Sequence, residues 1–182
     1  MEDLPEVVLR RDCPALTVPW GSPETLAKGD VAVVAQRLGG SFTLRVAGNL
    51  YRVEGKDADA LGYELPAVPQ AAPTAATAEA VEAEAWARLA TCYDPEIAID
   101  IVELGLIYGL EVTPAAAGKF AIAVRMTVTA PGCGMGNVLA EEVKEKLLGI
   151  SGVAEVDVSL VFDPPWSYER MSEAARLESG FL

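Results

Sequence analysis

A charge-free stretch in the middle of the chain constrains the architecture most. Pro66-Ala-Val-Pro-Gln-Ala-Ala-Pro-Thr-Ala-Ala-Thr77 contains three prolines and five alanines. Proline fixes φ and lacks an N–H, and alanine has little side chain to bury, so this run neither joins a sheet nor anchors a core. It reads as an extended, semi-rigid linker. The 182-residue chain is therefore expected to form two domains, about residues 1–65 and 78–182, with 66–77 between them.

Charge and cysteine usage narrow the chemistry. Fourteen Lys and Arg stand against 27 Asp and Glu, a net charge of −13. Nucleic acid and anionic membrane are excluded as expected partners, because phosphate binding needs a basic surface. There is no histidine. Cys–His and Ser–His–Asp nucleophiles, His-ligated metals and the usual neutral-pH proton shuttle are therefore unavailable. Cys13, Cys92 and Cys133 form no C-x-x-C pair, Met1–Arg10 has no apolar signal core, and no run approaches a membrane span. The expectation is a cytoplasmic protein in a reducing compartment.

Residues 1–65 read as a small β domain. Val31–Gln36, Ser41–Val46 and Leu50–Glu54 are short strand-like runs, with Gly39-Gly40 and Gly48-Asn49 between them where hairpin turns require positive φ. A meander of four or five strands is expected, closed by a helical turn near Lys56–Leu61.

Residues 78–182 alternate helix and strand. Val81, Ala85, Trp86 and Leu89 form one stripe of a helix capped by Thr77 and ended before Asp94-Pro95. Ile107–Val112 reads as a strand, and Phe120–Thr129 alternates with Phe120, Ile122, Val124, Met126 and Val128 on one face. A helix over Met135–Leu148 follows, then a strand over Val153–Phe162 with Val156, Val158, Leu160 and Phe162 inward, and a last helix over about Ser167–Leu177. The fold class is α+β: the β meander, then an α/β domain with a three-stranded mixed sheet and helices on one face.

The strongest local signal is Thr127-Val-Thr-Ala-Pro-Gly-Cys-Gly-Met-Gly136, where a strand ends and a helix begins just after Cys133. Unpaired N–H groups and the positive helix end favour thiolate over thiol there. Gly132, Gly134 and Gly136 leave the backbone bare enough to accept an anion or a bulky ligand, and Thr127 and Thr129 point the same way toward it. An inert residue in a glycine-rich turn is the equally weighted alternative. Asp94-Pro-Glu96 offers two carboxylates that either coordinate iron, orient a thiolate partner, or simply form a solvated turn capped by Asp94. Cys92 reads as a small core residue and Cys13 as a weak metal candidate. Trp20, Trp86 and Trp166 are expected to pack, with Trp166, after two prolines, the one to test as an exposed anchor.

These residues also carry a resemblance. Asp94-Pro-Glu-Ile97, Ile101-Val-Glu-Leu-Gly-Leu-Ile-Tyr108, Thr129-Ala-Pro-Gly-Cys133, Val161-Phe-Asp-Pro-Pro-Trp166 and Met171-Ser-Glu-Ala-Ala-Arg-Leu177 occur in that order. Together they resemble the MIP-type domain of iron–sulfur assembly proteins, found in SufT-like and PaaD-like factors and in the cytosolic iron–sulfur targeting factor. Leu9-Arg-Arg-Asp-Cys13, Leu38-Gly-Gly-Ser-Phe-Thr43 and the stretch from Gly48 to Gly62 resemble the SufT extension. The resemblance implies a non-catalytic auxiliary factor in cluster maturation, working with Suf-type machinery and client apoproteins and able to pair as a homodimer. No stably bound cofactor is implied, only transient iron or an iron–sulfur cluster at Cys133. Asp94, Glu96, Thr127 and Thr129 fall on the family's polar positions. Gly134 and Glu103 depart from it, standing where many members have proline and aspartate.

Other readings remain at this point. One is a thiol redox enzyme using Cys133 with Cys92 or Cys13 resolving, which the missing histidine and C-x-x-C disfavour. Another is a metal-free interaction module.

Overall fold

The computed structural model describes residues 5–64, 77–94, 96–130 and 134–180. The chain divides into two compact units, Met1–Pro69 and Gln70–Leu182. Of the expected linker, all but Thr77 lies outside the described residues.

The N-terminal unit is one antiparallel sheet of six strands: β1 (Glu6–Val8), β2 (Cys13–Val18), β3 (Pro23–Leu26), β4 (Val31–Leu38), β5 (Ser41–Val46) and β6 (Asn49–Glu54), in the order β1-β4-β5-β6-β2-β3. The sheet has six strands rather than the expected four or five, and only β4-β5-β6 are consecutive neighbours as in the expected meander, besides the β2-β3 hairpin. The two outer strands are short, β1 with three residues and β3 with four, so local pattern does not reveal them; β3 opens on Pro23, a residue tolerated at a strand start on a sheet edge. Gly39 and Gly40 take positive φ in the β4–β5 turn. The next turn is Ala47-Gly48, not Gly48-Asn49, since Val46 pairs with Asn49 and Ala47 adopts φ 49. A 3-10 turn over Gly55–Leu61 closes the unit, adding Ala58, Ala60 and Leu61 to a core built on Leu9, Cys13, Phe42, Leu44 and Val53.

In the C-terminal unit α1 (Ala78–Leu89) starts at Thr77, whose hydroxyl accepts the Ala80 N–H at 3.2 Å. Val81, Ala85 and Leu89 are buried, whereas Trp86 lies at the stripe's edge and is partly exposed. The sheet has the order β7 (Ile107–Pro114), β8 (Phe120–Met126), β9 (Val153–Leu160), antiparallel then parallel. The expected alternation holds in β8, with Ile122, Val124 and Met126 buried. A parallel pair needs a crossover, supplied by α2 (Met135–Leu148), which buries Leu139, Val143 and Leu147. The opposite face carries the cross-strand rows Glu111, Ala123, Asp157 and Thr113, Ala121, Glu155.

Two expectations about the chain after β9 are corrected. The strand stops at Leu160, so Phe162 lies beyond the sheet and is 49% exposed. The last helix is α3 (Glu173–Ser179), preceded by a 3-10 turn over Tyr168–Arg170, because Ser172 supplies the cap by accepting the Ala175 N–H at 3.0 Å.

Candidate functional site

The site forms where β8 hands over to α2. The Thr127 N–H donates to the Leu106 carbonyl at 2.9 Å, continuing the β7–β8 pairing one residue past the strand. Val128 then turns under α2. A β-carbon on Gly136 would sit 3.0 Å from Val128 Cγ1, so glycine lets the first turn of α2 come this close to the strand exit. Gly134 occupies the α2 cap with no side-chain hydrogen bond to the helix. The positive end of the helix therefore lies beside the strand exit without a side-chain cap. Pro131, Gly132 and Cys133 lie outside the described residues.

The Asp94 turn comes from a different part of the sequence. Asp94 Oδ1 accepts the N–H groups of Glu96 at 2.8 Å and Ile97 at 3.0 Å, while its own N–H donates to the Ile99 carbonyl at 3.0 Å. This is the self-capped turn that short acidic side chains favour. Asp100 repeats it, accepting from Val102 and Glu103, each at 3.0 Å. The tandem arrangement is visible as two aspartates six apart, and Asp100 is the positioning residue that motif reading missed.

Asp94, Glu96 and Thr129 line one pocket with Val128, Met135, Gly136 and Leu139. Asp94 is only 8% exposed there. Two carboxylates thus share a pocket with the first turn of a helix, over an apolar floor. The helix end favours negative charge and the carboxylates oppose a further one, which suits a metal cation or a hydrogen-bond donor better than a free anion.

The remaining expected residues lie elsewhere. Thr127 is buried and does not line the pocket, so the two threonines separate. Gly134 is the exposed helix cap. Glu103 accepts a hydrogen bond from the Ser172 hydroxyl, and its carbonyl accepts the Ser172 N–H at 2.9 Å, which ties it to the start of α3. Cys92 is buried in the C-terminal core. Cys13 is fully buried in the N-terminal unit, and burial, reinforced by Asp57, pushes its thiol up to about 11. That environment keeps the proton on sulfur and works against a thiolate ligand. Trp166 packs on the core as expected, its Nε1–H donating to the Leu104 carbonyl at 2.8 Å, whereas Trp20, also expected to pack, is 74% exposed. Among the described residues, no three Cys, Asp or Glu side chains are grouped to hold a metal ion.

A small mixed-sheet domain with an acidic pocket at a helix start has known relatives. Residues 82–158 match the family described as iron–sulfur cluster assembly protein. The chain is 44% identical over 94 residues to the Fe-S protein maturation auxiliary factor of Porphyromonas gingivalis, covering 52% of this chain and 86% of that protein. It is 38% identical over 87 residues to the Fe-S protein maturation auxiliary factor SufT of Staphylococcus aureus, covering 48% of this chain and 94% of that one. For the auxiliary factor YitW of Bacillus subtilis the values are 31% over 102 residues, 56% and 96%. The chain belongs to the family of iron–sulfur cluster assembly proteins, as a SufT-like member. The family match begins at residue 82, so the N-terminal unit lies outside it.

Proposed function

We propose that this chain is an auxiliary factor in the maturation of iron–sulfur proteins, with Cys133 as transient holder of iron or of a cluster passed to client apoproteins. One observation carries the reading: Asp94, Glu96 and Thr129 converge on the first turn of α2, which starts two residues after Cys133 in the sequence. A thiolate softens a site that carboxylates alone would make hard, and iron accepts both ligand types. Cys13 is withdrawn into a core that holds it protonated, and Cys92 is buried. A cluster would take its further thiolates from a client or from a second copy of the chain. The protein acts as a carrier rather than an enzyme, with the Suf-type machinery, in the reducing cytoplasm. The N-terminal unit, by its resemblance to the SufT extension, serves the same task.

The test is iron and acid-labile sulfide content, with a visible spectrum, on protein purified without oxygen. Iron near stoichiometric with chains, lost in Cys133→Ser, is expected, together with lost complementation of a maturation defect. A folded Cys133→Ser variant that complements fully would overturn the thiolate role.

A further inference from the structure

We infer that the strap running from Val161 to Trp166, with Phe162 as its outward side chain, is the rim on which the site docks a partner polypeptide. The docked segment is of a stated kind: an apolar side chain flanked by lysine or arginine. This rests on the proposed function, of which it names the partner chemistry.

Topology places the strap. Met126, Leu160 and Ile107 lie level with one another at one end of the sheet, with β8 in the middle. The Val161 N–H donates to the Met126 carbonyl at 2.8 Å, so the strap starts at the exit of β8. It is next fastened beyond β8, where the Tyr108 hydroxyl donates to the Pro164 carbonyl at 3.0 Å and Trp166 reaches the Leu104 carbonyl. Going from β9 to the start of β7 in this sheet order means passing the end of β8, where residues 127–130 leave toward the site.

The strap is held at both ends and, Asp163 apart, is apolar between them. Phe162 is half exposed, and Pro164 and Pro165 are exposed. Fixed φ angles and the two anchors leave little conformational entropy to lose on association, and a rigid exposed aromatic is the usual energetic centre of an interface. Leu160, just before the strap, packs beside the first turn of α2, since a β-carbon on Gly136 would lie 3.7 Å from its Cδ1. The pocket side of the strap is acidic: Asp94 and Glu96 line the pocket, no Lys or Arg does, and exposed Asp163 sits beside Phe162, while the cation at the other end, Arg170, is engaged over the ring of Tyr108. A second copy presenting the same acidic rim would be repelled, whereas a basic, apolar segment is complementary.

The test uses the full chain and fluorescein-labelled peptides in which one leucine is flanked on each side by two lysines, with glutamates replacing the lysines in the control. The lysine peptide should bind the protein, and about tenfold more weakly once Phe162→Ser removes the ring, with Phe162→Leu recovering most of the loss. Asp163→Lys should weaken the lysine peptide. No binding of the lysine peptide, equal affinity for both peptides, or equal affinity of Phe162→Ser and the unaltered protein would each overturn the proposal. So would a dimer in sedimentation that Phe162→Ser dissolves, since the occupant would then be a second copy. Cys133→Ser should bind the peptide normally, so failure of the carrier reading is told apart from failure of the docking rim. Unchanged thermal unfolding of Phe162→Leu and Asp163→Lys keeps the comparison valid if Phe162→Ser is poorly folded.

Discussion

Gly105 and Arg170 meet backbone to backbone: a β-carbon on Gly105, which has φ +67, would overlap the carbonyl oxygen of Arg170. The contact joins the segment after the tandem aspartate turns to the one leading into α3. Around it, Arg170 lies 3.9 Å from the centre of the Tyr108 ring. Gly105→Ala meets both an unfavourable φ and a steric clash with backbone, which cannot step aside. It should cost about 2–4 kcal/mol in urea unfolding, whereas Ala substitution of an exposed position such as Gly180 should cost less.

Ser172 serves two partners, donating to Glu103 and accepting from Ala175. Ser172→Ala removes the cap of α3 and leaves the Glu103 carboxylate short of a donor. A loss of about 1–2 kcal/mol is expected, with faster amide exchange at Ala175 and Arg176 before any change in the sheet.

Asp94 separates geometry from charge. Asn keeps an oxygen that accepts the Glu96 and Ile97 N–H groups, so Asp94→Asn should unfold within about 0.5 kcal/mol of the unaltered protein, whereas Asp94→Ala should lose about 1–2 kcal/mol. If the carboxylate takes part in holding iron, both variants lose client maturation in a complementation assay. Full activity of Asp94→Asn would leave Asp94 a turn-former alone.

Cys13 makes stability depend on alkaline pH. Its thiol ordinarily titrates near 9.0 and is raised to about 11 in the fold by burial and by Asp57. Below pH 9 both states hold the proton and the full stability is present. Above it the unfolded chain loses a proton that the folded chain keeps, so stability falls as pH rises from about 9 to about 11. Urea midpoints across that range should show the decline, and Cys13→Ala should flatten it. The native thiol should also resist alkylation at pH 8.

Legibility in the sequence followed the range of the interaction. β8, α1 and α2 repeat one apolar period over several turns or pleats, and that period is written locally. β1 is only three residues long and pairs with β4, distant in sequence, while β3 is a four-residue strand carrying Pro and Glu, so neither shows a sustained local alternation. Phe162 continues the alternation of β9 on paper, but pairing with β8 ends at Leu160, and only the fold decides where a ladder stops. Asp94-Pro-Glu96 and the glycine loop each stood out as motifs. The convergence of Asp94 and Glu96 with Thr129 and Gly136 depends on how α1 and β7 carry the Asp94 turn to the end of β8, a tertiary fact that no spacing reveals. Trp166 packs as its bulk suggests, but its partner, the Leu104 carbonyl, is remote in sequence and no local pattern names it.

The outer strands of the C-terminal sheet have a consequence for handling the protein. β7 and β9 carry exposed Glu111, Glu155 and Asp157, and strands at sheet margins are ready templates for stacking between molecules. Their negative carboxylates act as gatekeepers. Near the isoelectric point of about 4.4 that mutual repulsion fades across the whole surface. Mild acid should therefore precipitate the protein through intermolecular strand pairing, and strip any cargo from a solid rather than from a solution.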